Sequence, residues 1–314
     1  MNKKDIVVSV YTLVYNHEPF LKEAIEGVVN QQCDYTIELM LGEDCSTDNS
    51  RAVISHYASL YPDIVKPIFN EKNIGYIANS IKLMKACRGK YVATMEGDDY
   101  WIDVHKIQKQ VDFLEANPDY SACFCKVKYI DEQGNEMPQY HPAPKKDDLD
   151  FADIIAKHYI PTPGYIFRKN LPDPMPEFYL NDPISMDLPI EIIAAEQGKT
   201  KYMRDVMAVH RSHAGGITKN AEQIKKIEDG EFLLYEKAML HYGKKYETIF
   251  YNKLREVART NMIYGSSKFS GMERMAHVRK WTRRFLKYSP DINKKELLYY
   301  FLLINFPWLL KLKK

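Results

Sequence analysis

Cysteine is scarce in this chain and unpaired in pattern. Cys33, Cys45, Cys87, Cys123 and Cys125 are odd in number and lack the C-x-x-C spacing of a zinc site. Reduced thiols and a cytoplasmic compartment are the expectation. Net charge is scarce too. The 44 basic and 42 acidic residues leave +2, so nothing draws the chain as a whole to nucleic acid, and any charge argument is local. No apolar run approaches the roughly 20 residues of a membrane-spanning helix. Met1-Asn2-Lys3-Lys4-Asp5 leads straight into a strand without the apolar region of a secretory leader.

What the chain does have is a local surplus of negative charge. Tyr91-Val92-Ala93-Thr94-Met95 suits a buried strand and runs into Glu96-Gly97-Asp98-Asp99. Three carboxylates within four positions are costly unless a cation or hydrogen-bond donors balance them. A divalent metal bridging an anionic substrate and a salt-bridged strand end are the two readings.

The segments before this cluster alternate between strand and helix. Residues 6–14 are rich in β-branched side chains and nearly all apolar, as in a strand covered on both faces. A turn at 15–19 then opens a helix with Phe20, Leu21, Ala24, Ile25 and Val28 on one stripe. Strands at 36–41 and 64–69 follow, with helices after each, the first of them capped by Thr47-Asp48-Asn49-Ser50. This order predicts right-handed crossovers and a mainly parallel sheet whose ligands gather at the carboxyl ends of the strands. Residues 14–16, 43–44 and 96–99 all fall at such ends.

After the cluster, 106–117 reads as a helix burying Ile107, Val111, Phe113 and Leu114, and 121–130 as a strand with Cys123 and Cys125 on one face. Residues 137–150 are proline-rich and read as a loop without a fixed fold. Strands at 165–168 and 202–209 flank a helix from about Leu188, for which Asp187 is a candidate N-cap. From about residue 220 the pattern becomes helical to the end. The division expected is a catalytic domain at 1–218 and a helical region at 219–314.

Taken together, these segments resemble the family-2 glycosyltransferases, inverting enzymes with the Rossmann-like GT-A fold. The matching pieces are Val8-Ser9-Val10 with Tyr15-Asn16, Glu43-Asp44-Cys45-Ser46-Thr47-Asp48, Asn73-Ile74-Gly75, Glu96-Gly97-Asp98-Asp99, and Met186-Asp187 followed by His210-Arg211-Ser212-His213. The resemblance covers roughly residues 5–218. It implies a nucleotide-sugar donor, a Mn²⁺ or Mg²⁺ ion and a glycan or lipid-linked acceptor, as in bacterial surface polysaccharide synthesis. It implies Asp99 as direct metal ligand, Asp98 as partner of the donor ribose or of the metal, and His213 as completing the metal shell. Asp44 would accept the N3 hydrogen of uracil or thymine, Val14, Tyr15 and Asn16 would line the base pocket, and Arg211 would neutralise phosphate. Asp187 would be the base, and Glu96 stands where the family commonly has Asp. Tyr100 and Trp101 suit either stacking on an acceptor sugar or closure of the core. A metal-dependent nucleotidyltransferase is the rival enzyme, but residues 11–16 lack its usual glycine-rich, Lys- or Arg-bearing loop. A non-catalytic sugar-binding module is the other rival.

The tail concentrates positive charge. Seven basic residues from Arg279 to Lys295 face one acid, Asp291, before an apolar stretch at 297–310 that is interrupted by Asn305 and Pro307. Such a segment suits peripheral contact with the anionic inner face of a membrane through 279–314. Packing on the core or on a second copy of the chain in a homo-oligomer are the alternatives.

Overall fold

The structure, a computed structural model, describes residues 7–139, 141–180, 187–213, 221–263 and 271–305. The described residues up to 213 form one compact unit and those from 221 onward a second.

The first unit opens with β1 (Val8–Val14), α1 (Leu21–Val29), β2 (Ile37–Glu43), α2 (Ser50–Leu60), β3 (Val65–Phe69), α3 (Tyr76–Ala86) and β4 (Tyr91–Glu96). It continues through β5 (Tyr100–Trp101), α4 (Lys106–Ala116), β6 (Tyr120–Asp131), β7 (Asp148–Leu149), α5 (Phe151–Ala156), β8 (Tyr165–Arg168), α6 (Glu177–Leu180), α7 (Asp187–Gln197) and β9 (Lys199–Ser212). One nine-stranded sheet runs β3-β2-β1-β4-β8-β6-β9-β5, with β7 on β9. The first four strands are parallel to one another, as is the long β6–β9 pair, while β8, β5 and β7 join antiparallel. Most of the paired length is therefore parallel, and antiparallel insertions fall in the second half.

Strand β1 is central and buried along both faces. Its buried Ser9 is satisfied internally: Ser9 Oγ donates to Glu38 Oε1 of β2 at 2.6 Å, and Glu38 is held by Arg88 Nε at 2.9 Å. Helix α1 presses Leu21, Ala24, Ile25 and Val28 onto the sheet, the larger of them each contributing about 1.5–3 kcal/mol by burial. Cys123 and Cys125 do share one buried face. Two expectations change. Phe113 is only half-buried, and α4 instead buries Lys106 and Gln110, which a stripe of apolar positions does not reveal. The loop at 137–150 contains strand β7, which pairs with β9, and ends in Asp150, whose side chain caps α5 by accepting from Asp153 N.

The second unit comprises α8 (Ala221–Tyr242), α9 (Glu247–Ile263), α10 (Gly271–Lys287) and α11 (Lys294–Asn305). Phe232, Phe250, Leu254, Val278 and Trp281 form its interior. Basic residues of the tail are paired inside this unit: Lys280 and Arg284 with Asp229, and Lys287 with Glu236. No helix among the described residues is long and apolar enough to cross a membrane. Residues 306–314 of the tail lie outside the described residues.

Candidate active site at the carboxyl edge of the sheet

Register brings the three polar segments together, since β1 pairs Val14 with Glu43 and Leu13 with Glu96. The turn after β1 is laced to the turn after β2. Asn16, in the left-handed region at φ 56°, accepts from Thr47 N at 2.8 Å, and the Asn16 and His17 amides donate to Ser46 Oγ and Ser50 Oγ, both at 3.0 Å. Val14 is buried, whereas Tyr15 is 44% exposed at the rim. Asp44 is buried and accepts from Asn70 Nδ2, Ile74 N and Gly75 N at 2.9–3.0 Å. Three of about four carboxylate acceptor positions are thereby used, and one is left for a ligand.

The acidic segment divides its labour. Asp99 turns to β9, where its Oδ1 accepts from Arg211 N at 2.9 Å and lies 3.1 Å from His210 Nδ1. Asp98 faces the other way, with Oδ2 2.8 Å from His213 Nε2. Its Oδ1 is buried without a hydrogen-bond partner, and so is His17 Nδ1. One ligand atom from each of His17, Asp98 and His213 lies within 4.8 Å of the others. Two orphaned atoms, each costing about 1–3 kcal/mol if left unsatisfied, next to a third donor fit a divalent cation. His17 reaches this spot because residue 97 is glycine: a Cβ there would meet His17 Nδ1 at 2.6 Å.

Electrostatics agree with that fit. Burial lowers the His17 pKa, which keeps the ring neutral and its lone pair available. Burial would raise the Asp98 carboxyl, but the His213 hydrogen bond above all holds it below the ordinary range. The Asp98 hydrogen bond in turn raises His213. Burial, then Asp98, Asp187 and Asp99, push the Glu96 carboxyl well up, so Glu96 lies within electrostatic reach of both the acidic segment and Asp187.

Asp187 opens α7, and Met186 before it lies outside the described residues. Thr162 Oγ1 donates to its Oδ2 at 2.8 Å. The turn carrying Thr162 is pinned through three successive carbonyls by Thr94 Oγ1, Trp101 Nε1 and Gln110 Nε2 at 2.8–2.9 Å. Trp101 is thus core closure, packed under Lys106 Nζ at 4.1 Å, rather than a platform for sugar. Burial and the charge of Glu191 raise Asp187 to about 6, against the Thr162 hydrogen bond and His158.

Two residues given ligand roles by the resemblance also make contacts within the protein. Arg211 is buried, with Nη2 2.5 Å from Glu23 Oε2, Nε bonded to Asp98 O, and the guanidinium between Phe20 and Tyr100, so it braces the acidic loop. Asp99 bonds to His210 and the Arg211 amide, whereas the cluster that includes unpartnered atoms is built on Asp98. Sequence reasoning passed over His17, although it adjoins Tyr15-Asn16, and Thr162, which no spacing rule connects to Asp187.

A carboxylate-bearing sheet edge of this construction is the GT-A architecture, with a helical region following it. The chain matches the model of Glycosyl transferase family 2 over residues 9–173 and belongs to that family. An uncharacterised protein of Mycobacterium tuberculosis is 32% identical over 214 residues, 68% of this chain and 61% of that protein. The chain thus matches about three fifths of that relative's length. A putative teichuronic acid biosynthesis glycosyltransferase of Bacillus subtilis, TuaG, is 26% identical over 155 residues, 49% of this chain and 59% of that protein. Among solved structures, residues 1–349 of Staphylococcus aureus TarS give a TM-score of 0.67 at 18% identity, covering 91% of this chain and 81% of that one. The TarS complex with UDP-GlcNAc gives 0.55 at 15% identity, covering 90% of this chain and 89% of that one. A mannosyltransferase of Pyrobaculum calidifontis with GDP-Man and Mn²⁺ gives 0.57 at 14% identity, covering 98% and 86%.

Proposed function

We propose that this glycosyltransferase is inverting and moves a hexosyl or N-acetylhexosaminyl group from a nucleotide-diphosphate sugar, a UDP-sugar by preference, to a hydroxyl of a glycan or lipid-linked acceptor in surface polysaccharide synthesis. The observation that carries this is the pairing of Asp187, raised to about 6 and oriented by Thr162, with the unsatisfied His17–Asp98–His213 cluster on the same sheet edge. The UDP-GlcNAc, GDP-Man and Mn²⁺ of the structural neighbours and the teichuronic acid role ascribed to TuaG point the same way.

In the reaction, the acceptor hydroxyl attacks the anomeric carbon from the face opposite the diphosphate and gives its proton to Asp187. The new glycosidic C–O bond forms as the C–O bond to diphosphate breaks, its electron pair leaving with the nucleotide. A divalent cation held by Asp98, His213 and His17 would supply neutralisation of that departing charge. Asp44 keeps an acceptor position for a base carrying an N3 hydrogen, beside Val14, Tyr15 and Asn16 on the laced turns.

The test is a screen of UDP-, GDP- and dTDP-sugars with Mn²⁺ or Mg²⁺. A UDP-sugar is expected to raise the melting temperature most and to be slowly hydrolysed. If no nucleotide shifts the melting temperature with metal present, the donor site is misassigned. For the tail, α11 presents exposed Leu297, Leu298 and Tyr299 beside Lys294 and Lys295, which suits an anionic lipid surface. The full chain is therefore expected to cosediment with anionic liposomes and residues 1–290 alone to stay in the supernatant; equal binding by the two would remove the tail as a membrane contact.

A further inference from the structure

Helix α7 buries Leu188, Ile190, Ile192, Ile193 and Ala194, and among them Glu191, which is only 2% exposed. An apolar side chain would serve that face at lower cost, because a buried carboxylate needs compensation. Glu191 stands four residues after Asp187, the spacing that places side chains on one helical face about 5–6 Å apart. Two carboxylates so close cannot both ionise freely. A basic group is at hand: His158 Nε2, on a half-exposed ring, lies 3.4 Å from Glu191 Oε1.

We propose that Glu191 and His158 are positioning residues that set the proton affinity of Asp187, Glu191 strengthening it from one helical turn away and His158 weakening it. This rests on Asp187 being the base of the reaction proposed above. The other groups facing Asp187 are Thr162, which donates to it, Tyr165 on β8, Tyr11 on β1, and Glu96 and Asp99 from the acidic segment. The Tyr165 hydroxyl is buried without a hydrogen-bond partner and feels both Asp187 and Glu191. His158 itself packs against the His141 ring at 4.8 Å, and His141 is bonded to the Tyr129 hydroxyl at 2.7 Å.

The arrangement gives the base two opposed controls. A base that is ionised near neutrality yet retains affinity for a proton is what hydroxyl activation requires. Glu191 supplies the affinity, and His158, reachable from solvent, opposes it.

The experiment is a pH titration of the full chain labelled with ¹³C at the aspartate carboxyls, the Asp187 signal being assigned by its loss in Asp187→Asn. Its midpoint is expected near 6 in the wild type. It is expected to fall by about one pH unit in Glu191→Gln and to rise by about one in His158→Ala. Midpoints that stay in place, or that move in the same direction in both variants, overturn the proposal. Because His158 is half-exposed, its variant decides the matter even if Glu191→Gln does not fold. Hydrolysis of UDP-GlcNAc by Asp187→Asn separates the two levels. Retained hydrolysis removes Asp187 as base whatever the midpoints do, whereas lost hydrolysis with unmoved midpoints removes only the roles of Glu191 and His158.

Discussion

Asp187→Asn is expected to lose transfer by about 10²–10⁴-fold while keeping donor affinity, because a positioned general base contributes that much and an amide cannot take the proton. The substitution keeps the shape of the side chain, and Thr162 Oγ1 can still donate to an asparagine carbonyl, so the geometry of the start of α7 is retained. Steady-state hydrolysis of the UDP-sugar, with water in place of the acceptor hydroxyl, reads the rate, and calorimetric titration of the same donor reads affinity. A variant that turns over normally would remove Asp187 from the mechanism.

The same carboxyl makes a linked prediction in pH. Only the ionised form accepts a proton, so with Asp187 raised to about 6 the wild-type rate is expected to fall about tenfold per pH unit below that point. Stability has the opposite sign. A folded-state pKa above the unfolded value of about 3.9 means that the native chain holds this proton more tightly, so ionising Asp187 destabilises the fold increasingly from about pH 4 to 6 and fully above. Asp187→Asn is therefore expected to melt higher than the wild type at neutral pH and level with it at the acid end of that window. A catalytic group held against stability is the physical content of that pair of results.

The second large effect concerns the cation. Asp98→Asn and His213→Ala are each expected to weaken Mn²⁺ binding by about 10²-fold or more, and His17→Ala comparably, whereas Asp99→Asn is expected to act less, through His210 and the Arg211 amide. Electron paramagnetic resonance of free Mn²⁺ measures this without donor or turnover. Equal losses for Asp98 and Asp99 would return the metal to the shared carboxylate pair that the sequence suggests. Binding should also weaken as pH falls, because a ligating imidazole must be neutral, and the Asp98 hydrogen bond raises His213 so that protons compete from a higher pH than for an ordinary histidine. A two-imidazole, one-carboxylate set further favours Mn²⁺ over Mg²⁺.

Much of the fold was legible because its signals are local. The β-branched run at 6–14 and the apolar stripe of α1 each report a period contained within one element. Strand β5, two residues long, and β7, inside a proline-rich segment, carry no such period; they exist because β9 offers them an edge. Lys106 and Gln110 on α4 escaped for a related reason: their burial is settled by the Trp101 ring outside the helix and by the Gly164 carbonyl, which is distant in sequence.

The opening surplus of charge at Glu96-Gly97-Asp98-Asp99 shows where the boundary lies. The sequence by itself determined that a carboxylate cluster ends a buried strand at the carboxyl edge of a mainly parallel sheet, and the family resemblance suggested Asp44, Asp187 and His213 as its companions. Only the tertiary structure decided which carboxylate does what. Asp98 and Asp99 are adjacent and chemically identical, but the chain sends one toward His17 and His213 and the other toward His210 and Arg211. The placement of Thr162 against Asp187 and of His158 against Glu191 is decided in the same way, because hydrogen bonds and charge act through space over a few ångströms and sequence order records only neighbours along the chain.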